Sequence, residues 1–253
     1  MRQLSPMIKF KISISNRNAE IIAIFPGTRE YCQDYLTDGE PDFSVTVTPE
    51  DIAFERIKAA REDELEGLPI RHLSDELLEL TALQRKITEC LFAHDTLLFH
   101  GSVVAVDAEG FLFTAKSGTG KSTHTRLWRE VFGDRAVMVN DDKPFLRIGE
   151  NAVTAYGSPW MGKHGLGANL CVPLRAICIL ERGEENRIEP ISAAQALPML
   201  FQQSQRPGNP ANLPRYMDLV DALAERTAFY RMQCNMDPEA AVTAYRGMTG
   251  KEA

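Results

Sequence analysis

Between the apolar run Phe111-Leu112-Phe113 and a helix-forming stretch that opens at Lys121, the chain carries Ser117-Gly118-Thr119-Gly120-Lys121-Ser122. A strand that ends in a glycine-rich turn and leads at once into a helix aims several backbone N–H groups, and the positive end of the helix, at one point. That point suits phosphate. Gly118 and Gly120 let the backbone approach a ligand, Lys121 reaches toward the β and γ phosphates, and the Ser122 hydroxyl is placed to ligate Mg²⁺. Ser117, Thr119 and Thr123 complete the expected nucleotide-binding set. With glycine at about 7% of residues, a chance G-x-G-K-[ST] is expected in roughly one chain of this length in a hundred. Ala115 stands where the full G-x-x-x-x-G-K-[ST] pattern has its first glycine.

The rest of the composition narrows the setting. A chain of 253 residues with 44% hydrophobic and 25% charged residues is long enough for one large α/β domain, or a core with a smaller appendage. A net charge of −7 gives no electrostatic case for nucleic acid or an anionic membrane as partner. Met1 to Phe10 lacks the apolar core of a signal peptide and no stretch reaches the length of a membrane span, so the expected location is cytoplasmic. Cys32, Cys90, Cys171, Cys178 and Cys234 are odd in number and lack C-x-x-C spacing, which argues against a disulfide framework or a zinc site. Reduced, mostly buried thiols are expected, with Cys171 and Cys178 in the core.

Periodicity divides the chain near residue 95. Met7 to Ser15 alternates as a half-buried strand, with further strands at Glu20 to Phe25 and Phe43 to Val47. Thr48-Pro49-Glu50-Asp51 supplies an N-cap hydroxyl, a proline at the first helical position and two acids, so a helix begins there. Glu62 to Leu73 reads as a connection, and Ser74 to Ala93 as a helix with one apolar face. Residues 1–95 thus form an N-terminal α+β cap without chemistry of its own.

From residue 96 to 253 the pattern predicts a catalytic α/β domain. Strands fall at Leu97 to Phe99, Ser102 to Val106, Phe111 to Phe113 and Ala136 to Val139, with a helix at Lys121 to Phe132 before the last of them. Strand, loop, helix, strand is the unit that builds a sheet with covered faces. Further strands are expected at Ala152 to Tyr156, Ala176 to Leu180 and Phe229 to Cys234. Ser192-Ala193-Ala194-Gln195 is a capping box opening a helix that Pro198 should kink or restart. Residues 206–214 form a proline-rich loop, either a lid or a surface turn, and Asp237-Pro238-Glu239 starts the last helix.

Phosphoryl transfer also needs a metal ligand and a proton acceptor. Asp141 and Asp142 stand at the carboxyl end of the strand Ala136 to Val139, where two adjacent acids can divide that work. His94 and His124 read as helix-surface residues. Gly157 to Gly167 places four glycines around Lys163 and His164, a flexible loop whose cations suit the acceptor side or a γ-phosphate.

The stretch from Phe99-His100-Gly101-Ser102 through the glycine turn to Val139-Asn140-Asp141-Asp142 resembles the catalytic domain of the HPr serine kinase/phosphorylase family. That family shares its nucleotide-binding core with ATP-dependent phosphoenolpyruvate carboxykinases. Ser122-Thr123-His124-Thr125-Arg126-Leu127-Trp128 is closer to small HPr-kinase-like proteins, some associated with modified-peptide biosynthesis. The resemblance spans about Phe99 to Arg147. It implies a P-loop kinase core of the HPr-kinase/PEP-carboxykinase type, with Asp141 as general base, Asp142 as metal-facing acid, His100 beside the pair and Ser117 near the transferred group. The C-terminal signature with which HPr kinases engage their protein substrate is not recognisable, so HPr is not the expected acceptor.

The leading expectation is an ATP- and Mg²⁺-dependent kinase acting on a hydroxyl, either Ser or Thr of a peptide or a small metabolite, with Asp141, His100 and Lys121 at the chemistry. Alternatives are a carboxykinase-like reaction on a carboxylated metabolite and a non-catalytic nucleotide sensor. Asp141 discriminates, since a sensor needs no base beside its metal ligand.

Overall fold

The computed structural model describes residues 7–116 and 118–253. The expectations for residues 1–6, and for Ser117 as a nucleotide ligand, lie outside the described residues. The chain divides into two units, Met1–Cys90 and Leu91–Ala253.

In the first unit β1 (Ile8–Ile14) and β2 (Arg17–Ala23) pair antiparallel, and Phe10, Ile12 and Ile14 of β1 alternate into the core with Ala19, Ile21 and Ala23 of β2. Their turn places Ser15 and Asn16 at φ 50° and 61°, the left-handed pair that matches the twist of a hairpin. After α1 (Pro26–Tyr31), β3 (Phe43–Thr46) adds parallel to β2. The capping box read at Thr48 is present, its side chain and that of Asp51 exchanging hydrogen bonds with each other's backbone at the start of α2 (Pro49–Leu65). The expected connection at Glu62 begins late, because residues 62–65 are good helix formers and the helix stops only at Gly67, with φ 68°. α3 (Asp75–Leu91) follows.

The second unit is organised by strands buried on both faces. β4 (Thr96–Leu98), β5 (Ser102–Val106) and β6 (Glu109–Thr114) precede α4 (Lys121–Phe132), which leads to β7 (Ala136–Asn140), β8 (Phe145–Ile148), β9 (Val153–Tyr156), β10 (Cys171–Arg182) and β11 (Arg187–Ile191). Two helices, α5 (Ala193–Gln203) and α6 (Leu213–Arg226), then β12 (Ala228–Cys234) and α7 (Glu239–Thr249), complete the unit. Among the described residues these strands form one mixed sheet in the order β4-β8-β9-β10-β6-β5-β7, with β12 also pairing β10 and β11 pairing β12.

Side chains on β6 alternate between two cores. Phe111 and Phe113 join Trp128 of α4 and Tyr245 of α7 on one face, while Leu112 joins Leu200 of α5 and Leu219 of α6 on the other. Helices therefore cover both faces, the arrangement that permits near-continuous apolar strands.

β6 and β7, on either side of the glycine turn and α4, are not neighbours in the sheet. Asp107 and Ala108, at φ 50° and 63°, turn the chain tightly enough to set β5 beside β6, and β5 occupies the place between them. β8, β11 and α6 were not expected. Phe145–Ile148 is too short to show a period, β11 contains Pro190, and Pro214 sits in the first turn of α6, where a proline favours a helix rather than the loop it was assigned to. α5 continues through Pro198 without the restart that was one of its two expected effects. Only Cys32 and Cys178 of the five thiols are buried, and Cys171 is exposed at the start of β10. Among the described residues no helix is long and apolar enough to cross a membrane.

Glu79 of α3 is wholly buried and accepts from the backbone N–H of Ile24 (2.6 Å) and Phe25 (3.1 Å) and from the Thr28 hydroxyl, at the entrance to α1. Glu79→Ala strands those donors. We expect a loss of about 3 kcal/mol or more in urea unfolding followed by tryptophan-independent circular dichroism, and a loss under about 1 kcal/mol would show that water replaces the carboxylate.

Candidate functional site

The acid pair is organised by Asn140, the last residue of β7. Its Oδ1 accepts from the backbone N–H of Asp142 (2.9 Å) and Lys143 (2.6 Å), a side-chain-closed turn, while its Nδ2 donates to the carbonyl and hydroxyl of Ser158 (3.1 Å each). The backbone is held from the other side as well, since Ser102 Oγ donates to the Asp141 carbonyl (2.8 Å) and the Gly101 N–H to that of Asp142 (3.0 Å). Gly101, Ser102 and Asn140 fall within the stretch that carries the family resemblance, and Asn140 before two acids is a readable turn signal, but their support of the acid pair depends on partners distant in sequence.

The turn sends the two carboxylates into different surroundings. Asp141 is 4% exposed, with Oδ1 accepting from the Gly162 N–H (2.7 Å) and Oδ2 lacking a partner among the described residues. Burial pushes its carboxyl above the usual 3.8; the Gly162 N–H and the nearby His164 act against that push, and the charge of Asp142 adds to it. A Cβ on Gly162 would stand 3.2 Å from Oδ2, so glycine permits this approach.

Asp142 is one-third exposed, its Oδ1 3.2 Å from His100 Nε2. Burial pushes this carboxyl up too, but the His100 hydrogen bond and the charges of Lys143, His100 and Lys121 outweigh it and hold the group below the usual carboxylate value. Lys121, the first residue of α4, is lowered chiefly by burial, against the pull of Asp142. The structure thus gathers His100, Asp142 and Lys121, with Asp141 adjacent and turned toward Gly162.

Between β6 and α4, Gly118 and Gly120 adopt φ 75° and 116°, which L side chains resist. Thr119 closes the turn with its N–H and hydroxyl on the Lys116 carbonyl (3.2 and 2.8 Å). Among the described residues no side chain caps the N-terminus of α4. Arg182, at the end of β10, donates to the Gly118 carbonyl (2.6 Å). A cavity of about 510 Å³ opens here, lined by Gly118, Thr119, Gly120 and Thr123 on one side and Arg182 and Asn235 among others opposite. Ser122 is exposed on the first turn of the helix.

His124 is not a helix-surface residue. It is 2% exposed, packs against Phe113 and accepts at Nε2 from Trp128 Nε1–H (3.1 Å), so its own proton is on Nδ1, which has no partner among the described residues. Burial pulls its pKa down to about 3, and the ring stays neutral.

The segment 157–167 is pinned to β7 rather than loose. Ala168 N–H bonds to the Val139 carbonyl (3.2 Å), Gly167 bridges Asn140 and Gly162 holds Asp141. Lys163 and His164 sit exposed at its tip, where Gly165 takes φ 59°. The charge of His164 acts to lower the Asp141 carboxyl, against the push of burial.

A family model described as "ScmC: SynChlorMet cassette protein ScmC" matches residues 69–246. Among solved structures the chain is similar to the Hpr(Ser) kinase/phosphatase from Coxiella burnetii, with 11% identity and a TM-score of 0.33 over 59% of this chain and 94% of that one. No curated protein matches.

Asp141 offers a test of its environment that needs no ligand. In Asp141→Asn an amide N–H₂ replaces the unpartnered Oδ2 and the buried charge disappears, while Oδ1 still accepts from Gly162. A group whose folded pKa is raised costs stability above that pKa, and the cost fades as pH falls toward the unfolded 3.8. We expect Asp141→Asn to melt higher than the parent at pH 7, by about 2–4 °C for each kcal/mol recovered, with the gap closing near pH 4. Equal or lower melting at pH 7 would contradict the assigned burial.

Proposed function

The chain belongs to the ScmC family of SynChlorMet cassette proteins, and we propose that it is a kinase that moves the γ-phosphoryl group of ATP to a hydroxyl. In this reading the unit Leu91–Ala253 is a P-loop core of the HPr-kinase type. The observation that carries it is the conjunction of a left-handed glycine turn, a helix N-terminus with no side-chain cap among the described residues, and a lysine whose charge helps hold the Asp142 carboxyl below its usual value. Each element is common alone; together they supply an anion cradle, a mobile cation and a carboxylate within one site.

The phosphates of ATP lie on the N–H groups of Gly118 to Ser122, with Lys121 drawn between them and Asp142. The cavity beside the turn takes the nucleoside. Asp142 and Ser122 would hold Mg²⁺, a donor set of one carboxylate and one hydroxyl completed by phosphate and water, which suits that ion. The low proton affinity of Asp142 fits the assignment. When bound, the metal neutralises phosphate charge.

Asp141 is the base. Its raised pKa makes it a stronger proton acceptor than an ordinary carboxylate, and Oδ2 has a lone pair with no protein partner among the described residues. The acceptor O–H proton passes to Oδ2 as the new P–O bond forms, and the bond to the β-phosphate oxygen breaks to release ADP. His100 holds the neighbouring Asp142 carboxylate in place.

The kinase reading is tested by nucleotide binding and transfer in parallel. ATP with Mg²⁺ should raise the melting temperature of the parent, and Lys121→Ala should weaken that binding about 10-fold or more. Peptide and metabolite pools incubated with γ-labelled ATP should acquire label from the parent and not from Lys121→Ala. An ATP-induced shift unchanged in Lys121→Ala would remove the phosphate-binding assignment.

A further inference from the structure

α2 packs one face into its own unit and carries a second apolar stripe on the other. Its buried residues are Ile52, Glu55 and Asp63. At about 100° per residue, Glu50, Phe54, Ile57 and Arg61 fall on the opposite side within an arc of roughly 60°, with Leu65 at its border. All five are exposed, Phe54 by 53%, Ile57 by 70% and Leu65 by 79%. Apolar side chains scattered over a surface are ordinary, but three on one stripe of a helix whose far side is already packed form a surface that the unit's own core does not use. Phe54 is also held in place, since the Arg85 guanidinium lies 4.9 Å over its ring and is itself tied to Asp51 and Glu55. A ring fixed in its exposed position loses little freedom on docking, which suits an anchor.

The order of charges along the stripe identifies what fits it. From the N-terminus it runs acid, aromatic, aliphatic, base, at Glu50, Phe54, Ile57 and Arg61. Spacings of four, three and four are those with which one helix seam meets another, and here they are symmetric about the point between Glu55 and Arg56. A second α2 laid antiparallel across that point sets Phe54 against Ile57 of the other copy and Glu50 against Arg61 of the other copy, each pair occurring twice. A parallel arrangement would oppose acid to acid and base to base. Lys58, beside the stripe, is already paired with Glu62 one turn on (4.0 Å).

We propose that this face of α2 is a docking surface for a second copy of the chain, the two helices packing antiparallel across a two-fold axis. One helix face from each copy buries less than the roughly 1,200 Å² at which stable interfaces begin, so the dimer is weak and dissociates in the micromolar range. It is independent of the nucleotide site.

Sedimentation equilibrium of the full chain over a concentration series should show monomers passing to dimers and to nothing larger, because a two-fold contact closes on itself. Ile57→Asp should weaken association about 10-fold or more by placing a charge at the centre of the stripe. Arg61→Glu and Glu50→Arg should each weaken it several-fold, since each alone opposes like charges, and an equimolar mixture of these two variants should associate as well as the parent, each chain supplying the charge that the other lacks. Every substituted side chain is exposed, and each variant should keep the parent's circular dichroism. A parent that stays monomeric throughout, association that survives Ile57→Asp, or a mixture that associates no better than its two folded components overturns the proposal.

Discussion

Two carboxylates on consecutive residues would ordinarily share one environment, and the turn that follows β7 prevents it. Asn140 binds the backbone beyond the pair with one side-chain atom and Ser158 with the other, while Ser102 and Gly101 hold the two carbonyls. Asp141 is therefore pressed under Gly162 with one oxygen unpaired, and Asp142 faces His100 and Lys121 with its charge compensated. Opposite shifts in neighbouring groups are how one site keeps a base and a permanent anion at the same pH.

The fold makes this placement rigid. β5 and β6 are buried on both faces between helices, so Ser102 and Gly101 at the head of β5 and the glycine turn after β6 are fixed relative to each other. β7 lies on the other side of β5 and delivers the acids to the same end. The segment 157–167 is then held to β7 and Asp141 by three contacts, which leaves its tip exposed. An uncompensated buried carboxylate is a cost that the surrounding packing must offset, the usual relation between a functional site and its scaffold.

Much of this was legible in the sequence. The glycine turn sits at its expected place, α4 spans Lys121–Phe132 as its periodicity indicates, and the capping boxes at Thr48 and Ser192 form. Local signals of this kind act through a few adjacent residues and survive any tertiary context. What failed depended on distant partners. His124 falls on a polar-looking helix stretch, and only the aromatic side chains of Phe113 and Trp128 make its site an interior one. Gly162 carries no motif, because its role exists only where the 157–167 segment returns to β7. α6 was lost to its own Pro214, a residue that starts helices as readily as it ends them.

The division of labour between the two acids is tested most directly by comparing Asp141→Asn with Asp142→Asn for Mg²⁺-dependent ATP affinity by calorimetry and for single-turnover transfer of label from ATP. Asp141→Asn should keep its nucleotide affinity within a few-fold and lose about 10²- to 10⁴-fold in turnover, the contribution of a positioned base. Asp142→Asn should lose affinity and turnover together. Near-normal turnover in Asp141→Asn would contradict its role as the base, and normal turnover in both variants would remove the acid pair from the chemistry altogether.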